Sequence, residues 1–281
     1  LDLPAFMILQ VYASTMRECG ETVVPMKAGA AAVAVSLIFN YLLIYGKFGF
    51  PRLGVAGASL ATVLSQGVSG LACLVYMVKK FPILHMSREE RQLDIRSCRA
   101  LCFMGVPMGL QYSITAIGSI FLQSAVNSLG SLYVAGVAAG SKLFQLLGCP
   151  YDAMGATMAT YCGQNVGAVK LDRLGKGVRA CSLLGLIYAL IAFGGMLLFA
   201  PQGAMLFLDP TEPELATLVD LTAQYIRTLT AFFFPLALVN IVRFSIQGMG
   251  FSGLAILAGV MEMIARTAVG VIFVPLFGYT A

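Results

Sequence analysis

Residues 79–99 read KKFPILHMSREERQLDIRSCR, the one long polar segment of an otherwise apolar chain. Lys79, Lys80, Arg88, Arg91, Arg96 and Arg99 outnumber Glu89, Glu90 and Asp94 there. Hydrophobic runs of membrane-crossing length flank it on both sides. A Lys/Arg-rich loop between two spans is retained on the cytoplasmic side, so this stretch orients the whole chain. It is also the expected seam between two halves. The expected class is an all-α polytopic membrane protein embedded in a lipid bilayer.

Composition agrees. With 59% hydrophobic and 11% charged residues and a mean hydropathy of +0.86, the chain lies outside the range of soluble globular proteins. The net charge of +5 comes from basic residues clustered in loops, a pattern of topology rather than of nucleic-acid binding, so no nucleic-acid partner is expected. Trp is absent, leaving Tyr and Phe for any interfacial belt. The seven cysteines are scattered without metal-ligand spacing and read mostly as small buried hydrophobes, and His85 is the single histidine, so no metal or haem cofactor is expected.

Outward from the seam, the runs at 1–16, 22–44, 54–77, 101–128, 132–159, 180–200, 221–246 and 253–275 read as eight spans, the first as the tail of one. With 79–99 inside, the basic stretches at 17–27 and 163–179 (with Lys170, Arg173, Lys176 and Arg179) also fall inside. The acidic loop with Asp209, Glu212, Glu214 and Asp220 falls outside, as the positive-inside rule requires. Both ends are expected to be cuts, since the chain opens within an apolar run and closes just after a span.

A weak internal repeat aligns Gly20 with Gly250, Gly29 with Gly259, and Leu3-Pro4 within one residue of Phe234-Pro235. A duplicated bundle with parallel halves leaves such a trace, and so does chance among Gly-rich helices.

Further motifs narrow the class. Gly20-Glu21-Thr22-Val23-Val24-Pro25-Met26, Asn40, Leu53-Gly54-Val55-Ala56-Gly57-Ala58, Ala61-Thr62-Val63 and Ser65-Gln66 occur in order in the first half. Gly105-Val106-Pro107, Asn127, Leu129-Gly130, Ala135-Gly136, Gly163-Gln164-Asn165-Val166-Gly167-Ala168 and Arg173 follow in the second. Together these resemble the MATE family, the multidrug and toxic compound extrusion transporters. The resemblance implies two pseudo-symmetric six-helix lobes, incomplete here at both ends. Residues 1–78 would be the C-terminal half of the N-lobe with about three helices, 79–99 the cytoplasmic inter-lobe loop, and 100–281 the C-lobe with about five helices and its last one missing. Two departures stand out: Glu21 replaces the usual Asp, and the Asp that often follows the helix-five Asn is missing from 40–44.

Ionisable residues in mid-span are costly and mark functional hypotheses. Glu262 lies near the middle of the last span and reads either as a proton or Na+ coupling site or as the ion-pair partner of Arg266, one helical turn later. Lys142 and Asp152 share a span on either side of Pro150, about 15 Å apart along a helix, too far to pair. Either a cavity or lobe packing would suit them. Gln111, after Pro107 and Gly109, is the amide expected to line a cavity, while Asn127, Gln145, Asn240 and Gln247 read mostly as interhelical glue. Tyr225, Phe232, Phe233 and Met261 offer a pliable wall for lipophilic cations, or plain packing. Arg227 and Arg243 lie near span ends and are expected to snorkel. The candidates for substrate or ion contact are Glu262, Arg266, Lys142, Asp152, Gln111, Asn240 and Tyr225.

The expected function is secondary active efflux of organic, often cationic, compounds against H+ or Na+, by a monomer in the plasma membrane. The alternative is a lipid-linked oligosaccharide flippase of related architecture. An enzyme is not expected, because no nucleophile–base or metal constellation is visible, and no filter motif suggests a channel.

Overall fold

The computed structural model describes residues 2–47, 51–81, 94–210 and 214–277, and every regular element among them is helical. Most of the basic seam, with His85, Arg88, Glu89, Glu90 and Arg91, lies outside the described residues, as does Glu212. The chain divides into two compact units, Leu1–Leu93 and Asp94–Ala281.

In the first unit α1 (Asp2–Glu18), α2 (Val23–Tyr45) and α3 (Val55–Lys80) follow the apolar runs. The third helix packs on both others. Close approach is possible because α3 presents Gly57, where a Cβ would stand 2.8 Å from the Leu43 carbonyl oxygen. Glu21, the departure from the family pattern, has a local task. Its Oε1 accepts from the backbone N–H of Val23 and Val24, which have no partner within the first turn of α2.

The second unit contains α4 (Ile95–Ser128), α5 (Ser131–Gly167), α6 (Asp172–Met205), α7 (Leu215–Ala231), α8 (Phe233–Gly248) and α9 (Gly253–Ala268). A π-helical turn (Val269–Phe273) and α10 (Val274–Phe277) continue α9. The central α5 packs on α6, α7 and α8, while α4 and α9 form their own pair. Tyr151, Phe233, Ala237, Ala189 and Ala192 make the core where α5, α6 and α8 meet. Glycines carry the closest crossings of α5, with the Tyr225 ring seated on Gly140 and the Phe244 ring on Gly155.

Among the described residues six helical segments are long and apolar enough to cross a membrane, and α7 with α8 makes a seventh if the bent pair is one span. The protein is therefore a multi-pass membrane protein.

Several boundaries differ from expectation, among them the start of α4 at Ile95, which makes the end of the 79–99 stretch helical. The run 221–246 is not one helix: α7 stops at Ala231 and α8 leaves at 50°. Pro235 has no N–H for the Ala231 carbonyl, but three residues into a new helix it needs none. The stretch 163–179 is mostly helix rather than loop. α5 runs to Gly167, with Asn165 Nδ2 donating to the Tyr161 carbonyl, and the turn is only 168–171, with Val169 at φ 58°. Arg173, Lys176 and Arg179 thus stand on the first turns of α6. Asp220 likewise belongs to α7, not to the acidic loop.

The internal repeat has a backbone counterpart. After α1, Cys19, Gly20 and Glu21 donate to the carbonyls of Thr15, Arg17 and Met16. After α8, Met249, Gly250 and Phe251 donate to those of Ser245, Gln247 and Ile246, the aligned positions. Gly20 (φ 85°) and Gly250 (φ 93°) both hold the left-handed conformation that such a helix exit needs.

Proline also explains an arginine contact. Pro201 lies inside α6 and cannot donate to Leu197. Arg227 of α7 fills the gap: its guanidinium donates to the carbonyls of Leu197 (3.1 Å) and Met196 (3.4 Å). It does not snorkel.

At the start of α4, Asp94 caps the helix, accepting from the N–H of Arg96 and Ser97 and from the Ser97 hydroxyl. The Ser97 hydroxyl, then the two amides, hold its carboxyl below the usual carboxylate range. A depressed carboxylate contributes stability above its unfolded value and loses it as pH falls through the lower folded value. Protection of the Arg96 and Ser97 amides, measured against the intrinsic exchange rate at each pH, is therefore expected to persist at neutral pH and to fall only in acid below that range. Asp94→Ala should remove it at every pH.

Candidate functional site

The outer surfaces of two neighbouring helices differ in chemistry. On α6 the exposed side chains include Leu183, Leu184, Ile187, Leu190, Ile191 and Leu198, a face suited to acyl chains. On α5 the exposed positions carry Ala138, Lys142, Gln145, Cys149, Asp152, Ala156 and Thr157, with Leu146 the large apolar residue among them. The spacing of three and four keeps Lys142, Gln145, Cys149 and Asp152 on one side of the helix. Its opposite side, with Gly136, Gly140, Leu143, Tyr151, Gly155 and Met158, is buried in the unit.

Lys142 and Asp152 make no ion pair among the described residues. Hydrocarbon is a poor environment for either charge, whereas a water-filled path suits both. Pro150 loosens the helix between them by leaving Leu146 without its helical donor. The Tyr188 hydroxyl of α6 donates to the next carbonyl, Leu147, at 2.9 Å.

The carboxylate on α9 has a different setting. Glu262 Oε1 meets Arg266 at 2.6 Å, the i,i+4 ion pair that the sequence spacing suggests. The pair is anchored to α4: Arg266 donates to Ser119 Oγ at 2.8 Å, and Thr115 Oγ1 donates to Glu262 Oε2 at 3.4 Å. Gly118 between those residues lets α9 approach, since a Cβ there would stand 3.0 Å from the Met263 backbone.

Three other candidates have partners within the second unit. Gln111 is buried at the α4–α9 crossing beneath Gly259, where its Oε1 accepts from Gln247 Nε2 of α8 at 2.8 Å. Asn240 is buried too, and its Oδ1 accepts from Arg243 at 2.7 Å. Arg243 thereby turns back along α8, with its guanidinium 5.3 Å from the Phe244 ring centre, rather than snorkelling. Tyr225 is spent on Gly140. Of the two readings of the aromatic and Met residues, packing describes Phe233, which is fully buried in the core, while Phe232 and Met261 are on the outer surface.

Gln145 and Cys149 were not legible as part of a site from residue type alone. The signal that finds them is their spacing from Lys142 and Asp152. Cys149 also corrects the view of the cysteines as buried: only Cys73 and Cys162 are, while Cys19, Cys102 and Cys149 are exposed.

The MatE family model matches residues 107–274, from the proline of α4 to the first residue of α10, well over half of the chain. The chain belongs to the MatE family. MatE proteins are transporters, not enzymes. Among curated relatives, the "Probable multidrug resistance protein YoeA" of Bacillus subtilis is 25% identical over 75% of this chain and 46% of its own length. The "FAD transporter" of Shewanella oneidensis is 26% identical over 85% of this chain and 52% of its own. The chain thus spans about half the length of the curated relatives it matches. A crystal structure of MATE in complex with MaL6 superposes with a TM-score of 0.87 at 20% identity, over 96% of this chain and 60% of that one. That is a likeness of fold.

Proposed function

We propose that the protein is a secondary active exporter of organic compounds, including drugs or metabolites, coupled to entry of H+ or Na+ and working as a monomer in the plasma membrane. The observation that carries this reading is the charged, small-residue face of α5 in a MatE bundle whose neighbouring α6 presents an apolar one. Relatives named for multidrug resistance and for FAD transport support efflux of organic molecules as the activity. The two units would be the lobes, joined by the basic stretch 79–99 on the cytoplasmic side. Substrate and ion must each prefer one conformation, since a ligand bound equally by both shifts nothing. A lipid-linked oligosaccharide flippase is not favoured, because its pyrophosphate calls for clustered cations, whereas Lys142 stands on α5 and Arg266 is engaged on α9.

Glu262 is assigned a structural part rather than the coupling role, because its ion pair with Arg266 and its contact with Thr115 fasten α9 to α4. The test is efflux of a fluorescent organic cation from vesicles under an imposed H+ gradient, then a Na+ gradient. Wild type should export under one of them. Glu262→Gln, normalised to folded protein, should stay within about twofold of it, less than ~0.5 kcal/mol on the transport step. Loss of gradient-driven export in that variant would make Glu262 the coupling site. No export under either gradient, from folded protein, would remove the exporter reading.

A further inference from the structure

We propose that the exposed face of α5 selects dipolar substrates, with Lys142 receiving an anionic group and Asp152 a cationic one of the same molecule. This deepens the exporter reading and rests on it for the transport step, but not for binding.

Both side chains are exposed, share one side of one helix, and have no ion-pair partner among the described residues. Ten residues separate them, so the charges are held on the order of 10–15 Å apart along the axis. At that distance they neither neutralise each other nor merge into one site. Between them the face offers Gln145, which can donate and accept, and otherwise mostly small side chains that leave room for a flat body. A simple organic cation would be drawn to Asp152 and repelled by Lys142, whereas a molecule with separated charges of both signs is complementary to the whole stripe. The other cation–anion pair of this unit, Glu262–Arg266, closes on itself at 2.6 Å and offers neither charge freely.

Cys149 is an internal reporter. It is exposed on the same side, one turn before Asp152 and about two turns after Lys142. The experiment uses the protein in proteoliposomes with Cys19→Ala, Cys98→Ala, Cys102→Ala and Cys181→Ala, and Cys149→Ala as the background. Membrane-impermeant anionic and cationic methanethiosulfonates are expected to label Cys149. Their rate ratio (anionic over cationic) should fall about tenfold in Lys142→Gln and rise about tenfold in Asp152→Asn. Lys142→Arg, which keeps the charge, should leave it unchanged and guards against a folding artefact. In parallel, equilibrium binding of rhodamine B, a zwitterion at neutral pH, is compared with that of its ethyl ester, a cation of the same body. Wild type should favour the zwitterion. Lys142→Gln should reverse the preference, and Asp152→Asn should weaken the ester more than it weakens a free anion such as fluorescein.

An unreactive Cys149, a ratio indifferent to both substitutions, or equal loss of both dyes in Lys142→Gln would each overturn the proposal. Export of the ester with no zwitterion preference would overturn it while leaving the exporter reading standing. Binding as described without export of either dye would support it and remove the exporter reading instead.

Discussion

Gly248→Leu is expected to yield no folded second unit. Gly248 ends α8 where that helix crosses α5, and a Cβ there would fall on the Ala159 carbonyl oxygen and crowd the Ala159 Cα. The obstacle is backbone, not the tip of a flexible side chain, so it cannot rotate away. Even Gly248→Ala must push the helices apart, at a cost of about 3 kcal/mol or more, and leucine adds three carbons to the same clash. The control is Gly195→Ala in α6, where nothing lies within 4 Å of the added carbon. That change should be neutral or stabilising, because alanine favours the helix by about 1 kcal/mol over glycine. Melting followed by size-exclusion chromatography in detergent decides between them. If the two alanine variants melt alike, the α5–α8 crossing is not as close as described.

Arg266→Leu should be the most damaging change among the charged residues. It strips Glu262 of its partner and leaves the carboxylate with one long contact from Thr115. It also removes the donor to Ser119, the bond that carries the pair over to α4. Breaking a fully buried pair from one side costs about 3–5 kcal/mol. Here roughly a third of each side chain is exposed, 37% and 33%, so about 2 kcal/mol is the better expectation. The diagnostic is rescue. Glu262→Gln combined with Arg266→Leu removes both charges and should recover most of the lost Tm, whereas Glu262→Gln alone should not be as harmful as Arg266→Leu, since arginine keeps Ser119. A double variant no better than Arg266→Leu would mean that the loss came from packing rather than from a stranded charge.

What could be seen in the sequence follows from the range of the interactions. Span positions depend on runs of apolar residues, and the helices appear where those runs are, to within a few residues at most ends. The Glu262–Arg266 pair is a spacing of four within one helix, which sequence displays directly. Pro235 is equally visible, yet the run across it does not show its division into two helices, because hydropathy does not register a missing N–H. Gln111 and Gln247 met in space over a large sequence separation, and no local pattern distinguishes an amide that bonds a partner from one that faces a cavity. The face of α5 lies between these extremes. Its charges were noticed singly, but their common side is apparent only when the buried side of the same helix, set by contacts with α6, α7 and α8, is known.

The contact between Arg227 and the carbonyl that Pro201 leaves free also bears on ancestry. Losing the arginine first leaves the Leu197 carbonyl without either protein donor, while losing the proline first restores the helical bond and makes the arginine dispensable. The two positions are therefore contingent on each other in order as well as in identity. Lineages that shed this proline should tolerate drift at the arginine afterwards, and lineages that retain it should hold the arginine under purifying selection.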